Sequence, residues 1–308
     1  MARGKKVKAT PEIQLDEILK NAIRSIQLGV EDYETSCVLE EDARAISAAR
    51  NLYAGVLLLF KYKISSLAAS PEQARELLYK PEKMQPERNA SGLIEWRPTP
   101  HSRETIDASM IKSRLQGLGI YHDWRVVESL RNCRNDLEHL HPTAPASDIQ
   151  RLIVDLFPML QRFAHEELNT SPAELLGQAW KIMLREKSFY EQTQNDAKIQ
   201  WQTAGLPGPA LDFLQTCMCE ACRSTLLQPC KASIDNCIPI DTGDFLYECI
   251  SCKHSQSLIE FIEYEFLMSN DEFLTDEGIF VKTCEDCYIT MESLLDGRCY
   301  WCGKQGES

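Results

Sequence analysis

Four Cys-x-x-Cys pairs stand in series in the last third of this 308-residue chain: Cys219 with Cys222, Cys249 with Cys252, Cys284 with Cys287, and Cys299 with Cys302. A Cys-x-x-Cys turn aims two sulfurs at one point, and two such turns complete a tetrahedral set of thiolates about 2.3 Å from a zinc ion. Pairing neighbours along the chain gives two sites. In the first, 26 residues separate the pairs, room for a short hairpin; in the second, 11 do, enough for a tight loop. Four thiolates leave no coordination position for water, so two structural zinc ions are expected. They would replace the core that so small a module cannot build.

The pairs Cys284-Glu285-Asp286-Cys287 and Cys299-Tyr300-Trp301-Cys302-Gly303 resemble halves of a zinc ribbon, where a small residue after the second cysteine lets the turn close. The resemblance covers about Cys217 to Lys304. Redox chemistry is the competing use of Cys-x-x-Cys, but it expects one pair in a βαβ setting, not four in series. Of the remaining cysteines, Cys217 could replace a neighbouring ligand, and His254 is a weaker substitute. Cys230 and Cys237 read as small buried apolar residues.

Charge separates the two parts of the chain. Up to Leu206 there are 28 acidic and 27 basic residues, a net of −1; beyond it there are 18 acidic and 6 basic, a net of −12. Binding a phosphate backbone needs clustered Lys and Arg, so any nucleic-acid contact is expected in the first part. The longest apolar run, Leu52 to Phe60, holds nine residues, against the ~20 of a membrane-spanning helix. The basic opening residues have no apolar stretch behind them, so no membrane association and a cytoplasmic protein are expected.

Helical spacing marks Pro11 to about Gly29, and a second helix from Asp42 to Leu67 is apolar nearly all round, which suits the central element of a bundle. Lys80 to Glu104, with Pro81, Pro86, Pro98 and Pro100, reads as a long surface loop. Further helices are expected over Thr105–Leu118, Asp123–His141, Ser147–Leu168 and Pro172–Gln202. The segment Thr203–Asp212 is the expected boundary, with short strands such as Asp244–Cys249 and Gly278–Val281 beyond it. The expected fold is mainly α: a helical bundle over 1–205, then a small, acidic, β-rich double zinc-ribbon domain over 206–308.

Within Asp123–His141, Val126, Leu130, Cys133, Leu137 and Leu140 recur at helical spacing and form one expected buried stripe. Arg131, Arg134, Asn135, Glu138 and His139 fall at i, i+3, i+4, i+7 and i+8 and share the opposite face. Arg134-Asn135-Asp136-Leu137-Glu138-His139 resembles the Arg-x4-His motif of HEPN-domain ribonucleases, including the Asn directly after the Arg. The resemblance implies an all-helical bundle that dimerises, with motif helices from two subunits forming one active site. It also implies metal-independent cleavage of RNA to a 2′,3′-cyclic phosphate, in a stress or phage-defence system of toxin type.

The chemistry suits the residues. Cleavage needs a base for the 2′-hydroxyl, positive charge on the non-bridging oxygens and an acid for the 5′ oxygen. His139 can serve as base or acid near neutrality, Arg134 offers a planar charge to phosphate, and Asn135 could hold the imidazole or contact phosphate. Arg131 is a candidate substrate contact. HEPN toxins silenced by a nucleotidyltransferase antitoxin carry a Tyr two residues after the motif His; here that position is His141. The expected partners are RNA, a second copy of the chain, and a protein partner or antitoxin on the acidic domain. The competing reading is a non-catalytic helical dimerisation module whose zinc ribbons mediate protein contacts.

Overall fold

The computed structural model describes residues 14–80, 84–98, 104–139, 145–268, 274–275, 278–279, 281–294 and 296–305. The chain is mainly helical and divides into two compact units, Met1–Ile182 and Met183–Ser308. No helix among the described residues is long and apolar enough to cross a membrane.

In the first unit, α1 (Leu15–Leu39) and α2 (Asp42–Ser66) form a close antiparallel pair. Glu40, in the left-handed region at φ 54°, ends α1. Small residues set the spacing: a Cβ on Gly29 would lie 2.9 Å from the Leu52 backbone nitrogen, and one on Gly55 would lie 3.0 Å from the Ala22 carbonyl oxygen. Polar residues fix the register further along. Asp32 accepts from Arg44 at 2.8 Å, Ser47 at 2.6 Å and Asn51 at 3.2 Å.

Helix α2 is the hub. Its buried positions run from Ala45 through Leu52, Val56 and Phe60 to Ser65, and its main contacts among the described residues are with five other helices of the unit. These are α1, α3 (Pro71–Leu78), α4 (Ala108–Gly117), α5 (Trp124–His139) and α6 (Ala146–Val154). Asp107 caps α4 by accepting from the backbone of Ser109 and Met110, each at 3.1 Å, and Gly119 at φ 76° follows its end. The stretch expected to be a loop holds a two-stranded hairpin, β1 (Met84–Arg88) with β2 (Ile94–Pro98). Two backbone bonds close its base, Lys80 to Glu104 and Ile106 to Leu78, each at 2.9 Å.

The helix expected over Ser147–Leu168 is broken. After α6 come α7 (Phe157–Arg162), with Pro158 in its first turn, and a π-helical turn over Phe163–Glu167. The short α8 (Pro172–Leu176), opened by a Ser171/Glu174 capping box, and α9 (Gln178–Met183) complete this stretch.

The second unit starts 23 residues before the expected boundary. Its first helix, α10 (Lys187–Thr203), carries Trp201, whose indole N–H donates to the Leu227 carbonyl at 2.8 Å. Thr203–Asp212 is therefore part of this unit's core, not a linker: Leu206, Ala210 and Leu211 are buried in the cluster that holds Cys219, Cys249, Cys284 and Cys299. The remaining elements are α11 (Gly208–Leu214), β3 (Leu227–Pro229), α12 (Lys231–Asp235), β4 (Leu246–Cys249), β5 (Ser255–Ser257), α13 (Leu258–Met268), β6 (Leu274–Thr275), β7 (Gly278–Ile279), β8 (Val281–Lys282) and β9 (Glu292–Ser293). Strands β3, β4 and β5 form one antiparallel sheet, and β6 with β7 and β8 with β9 form two small ladders. With strands so short and four helices present, the unit is mixed rather than β-rich.

Candidate functional site

The eight cysteines converge as the spacing predicts. Cys219, Cys222, Cys249 and Cys252 form one group and Cys284, Cys287, Cys299 and Cys302 another, the four sulfurs of each lying within 4.8 Å of one another. Each group could hold one metal ion. Thiolates about 2.3 Å from a tetrahedral centre stand about 3.8 Å from each other. The closest pairs across the turns measure 3.7 Å (Cys219 to Cys252), 3.6 Å (Cys222 to Cys249), 3.9 Å (Cys284 to Cys302) and 3.7 Å (Cys287 to Cys299). These spacings fit a shared tetrahedral ion and are far too long for disulfides, whose sulfurs bond at about 2.05 Å. Burial pushes the Cys249 and Cys287 thiols well above their ordinary pKa and Cys252 up to about 11. A cation must therefore displace protons that the buried sulfurs would otherwise keep.

All four turns share one backbone construction. In each, the residue after the second cysteine donates to the carbonyl of the first: Arg223 to Cys219, Lys253 to Cys249 and Gly303 to Cys299 at 2.8 Å, and Tyr288 to Cys284 at 2.9 Å. The first cysteine's own N–H donates forward to a backbone carbonyl, Cys219 to Ser224, Cys249 to His254, Cys284 to Ile289 and Cys299 to Lys304. This closure puts the donating residue in the left-handed region, at φ 64° for Arg223, 69° for Lys253, 61° for Tyr288 and 81° for Gly303. A small residue is thus not the general requirement that the zinc-ribbon resemblance implies. Non-glycine residues there cost about 1–2 kcal/mol each, small beside the ~10–16 kcal/mol that a structural zinc ion contributes. Only Gly303 has a second reason to be glycine, because a Cβ there would lie 2.9 Å from Pro209 Cγ on α11.

The extra cysteines stay outside both groups. Cys217 is buried, its thiol pushed up to about 12, with Sγ 3.5 Å from the Phe213 carbonyl oxygen. Cys230 is half-buried, and Cys237 is exposed at φ 52°, so neither is the fully buried apolar residue expected.

Helix α5 carries the polar motif along one continuous helix, but its phase differs from expectation. Trp124, Val127 and Leu130 are buried, and Val126 and Cys133 only half-buried. Exposed residues fall at Arg125, Ser129, Asn132 and Asp136, so this is the solvent face. Arg131, Arg134 and Asn135 are half-buried and flank the buried stripe instead of opposing it. The positive charges of Arg131 and Arg134 pull down the pKa of the Tyr53 hydroxyl on α2, which burial more than offsets. Arg134 Nη1 donates to Asn135 Oδ1 at 3.2 Å.

The helix backbone reaches His139. The side chains of Leu137, Glu138 and His139, and all of Leu140 and His141, lie outside the described residues. Asn51 on α2 belongs to the Asp32 cluster that ties α1 to α2.

One feature that the sequence did not mark is a groove of about 260 Å³ between α4 and α5, with Lys112, Trp124, Glu128 and Arg131 in its wall. Lys112 pairs with Glu128 at 2.9 Å and lies 5.9 Å from the Trp124 ring centroid. Residues from two helices build it, so the periodicity of neither one could reveal it. No protein-family model, no curated protein and no solved structure matches this chain.

Proposed function

We propose that the first unit is a dimeric, metal-independent endoribonuclease of HEPN type, and that the second is a pair of structural zinc ribbons that bind a protein partner. The observation that carries the catalytic reading is the half-buried Arg134–Asn135 pair on α5, hydrogen-bonded at 3.2 Å and set beside the buried stripe rather than spread on the solvent face. Charged groups that only solvate a helix have no need of such a position. His139, one turn after Asn135 on the same helix, supplies the titratable group.

In this reading His139 of one protomer takes the 2′-hydroxyl proton, and the 2′ oxygen bonds to phosphorus. The bond to the 5′ oxygen breaks, and the symmetry-related histidine donates the proton to that leaving oxygen. Arg134 holds the non-bridging oxygens as charge develops. The products are a 2′,3′-cyclic phosphate and a free 5′-hydroxyl.

Zinc is the ion that tetrahedral four-thiolate groups most often hold, iron being the competitor. The net −12 of the second part suits a basic protein surface or an antitoxin better than RNA. A toxin-like role in stress or phage defence, in the cytoplasm, follows from the family resemblance alone.

The test is cleavage of RNA in magnesium-free buffer by the wild type, His139→Ala and Arg134→Ala. We expect both variants to lose cleavage by at least ~10²-fold; cleavage that persists in both removes these residues from the mechanism. The reading as a non-catalytic scaffold gains from the apolar surface beside the second cysteine group, where Tyr288 is 80% exposed and Leu294 50%. It predicts intact RNA in every sample.

A further inference from the structure

We infer that the groove between α4 and α5 holds one nucleotide of a single-stranded RNA next to the scissile bond, with its phosphodiester on Arg131. The inference rests on the ribonuclease reading, and it assigns a substrate-positioning role to residues outside the Arg134–His139 motif.

Arg131 is half-buried and makes no hydrogen bond or ion pair within 4 Å among the described residues, its charge being felt at a longer range by Glu128 and Tyr53. A guanidinium held so usually serves an anion. The charge balance narrows the choice. Lys112 and Glu128 neutralise each other at 2.9 Å, so the wall carries one net positive charge from Arg131. A phosphodiester carries one negative charge, whereas a terminal phosphate carries nearly two at neutral pH.

The rest of the wall suits a base and a sugar. Trp124 is only 7% exposed, and its indole N–H is buried with no acceptor among the described residues. Gln116 lines the groove with an amide that makes no hydrogen bond among the described residues, and the Ser109 hydroxyl, which donates to Asp107 at 2.6 Å, can still accept. The volume of about 260 Å³ lies below the ~300–1,000 Å³ of drug-sized pockets, which suits one nucleotide unit and not a folded RNA. Arg131 lies one turn before Arg134 and Asn135 on the same helix, so both can serve adjacent phosphates of one strand.

The experiment titrates a fluorescein-labelled 2′-O-methyl oligoribonucleotide, which cannot be cleaved, into the wild-type chain, Arg131→Gln, Gln116→Ala, Trp124→Phe and His139→Ala, reading anisotropy. Cleavage of the matching RNA is followed in parallel. We expect Arg131→Gln to weaken binding by about tenfold, the loss of one charge-assisted contact. Gln116→Ala and Trp124→Phe should each weaken it by a smaller factor. In cleavage, Arg131→Gln should raise KM and leave kcat nearly unchanged. Gln116 is exposed on α4, so its replacement keeps the test valid should Arg131→Gln fold poorly.

Wild-type affinity in both Arg131→Gln and Gln116→Ala overturns the groove, as does a wild type that binds no oligonucleotide. Cleavage abolished by His139→Ala would in that case leave the ribonuclease reading standing. Conversely, binding lost in Arg131→Gln while His139→Ala still cleaves keeps the groove and removes the proposed catalytic histidine.

Discussion

In the Met1–Ile182 unit glycines let two helices pack closely, Gly29 against Leu52 and Gly55 against Ala22 and Ile26; in the Met183–Ser308 unit cysteines of both groups are built into the buried core. The first unit is built on apolar burial around α2. In the second, Cys219, Cys249, Cys284 and Cys299 are themselves members of the core, so its apolar packing and its metal sites cannot be separated. A core of that kind would tolerate strained turns and short strands if each cysteine group holds an ion, which contributes what regular secondary structure does not.

The largest expected effect follows directly. A strong chelator, or Cys249→Ser, should remove the ~10–16 kcal/mol of an ion, as much as the whole stability of a typical domain at ~5–15 kcal/mol. Amide exchange should then show protection lost over Leu246–Cys249 and Leu258–Met268 and retained over Asp42–Ser66; protection that survives in both breaks the comparison. Gly55→Ala is the reciprocal test. Overpacking costs about 1–3 kcal/mol, and the loss should appear in the α1–α2 amides while the second unit keeps its midpoint.

Within the second unit, Gly303→Ala should cost more than the ~1–2 kcal/mol of left-handed strain alone, because its Cβ also meets Pro209. Tyr288→Gly, at an exposed left-handed position, should gain up to about 1 kcal/mol. Denaturant midpoints measure both, and equal losses in the two would show that the turns are not strained.

The smallest effect is a pH dependence confined to the first unit. His122 lies against Phe60 and Phe163 with neither ring nitrogen hydrogen-bonded among the described residues, and burial holds its pKa below the ordinary 6.5 although Glu167 and Glu166 oppose this. As pH falls below 6.5 the unfolded chain takes up a proton that the folded chain refuses, so stability declines from that point towards the folded pKa. His122→Phe should flatten the decline between pH 7.5 and 5; an unchanged slope removes His122 as its source.

Much of this was legible in the sequence where the chemistry repeats. The four pairs specify both cysteine groups, and α2 begins at the Asp42 read from the pattern and ends at Ser66, one residue early. Gly29 misled the reading of α1, which runs on to Leu39: the glycine marks close packing on Leu52, not a helix end. Pro86 and Pro98 disguised a hairpin, since a two-stranded ladder has only edge strands, where proline is tolerated.

Val126 and Val127 are both apolar, so spacing alone left the phase of α5 open, and Trp124 on the Val127 side decides it. Arg223, Lys253 and Tyr288 gave no sign of their left-handed backbone, which hydrogen bonds inside the cysteine turns impose. The extent of the second unit was hidden because Trp201 and Leu206 reveal their role only once Leu227 and the cysteines are beside them.

The contrast between the two units is tested most directly by the intact mass of the purified chain under native conditions, compared with its mass after acid denaturation. The account predicts a difference of two zinc ions per chain, less the protons displaced from the thiols. Fewer than one ion per chain, with the second unit still folded, would contradict it.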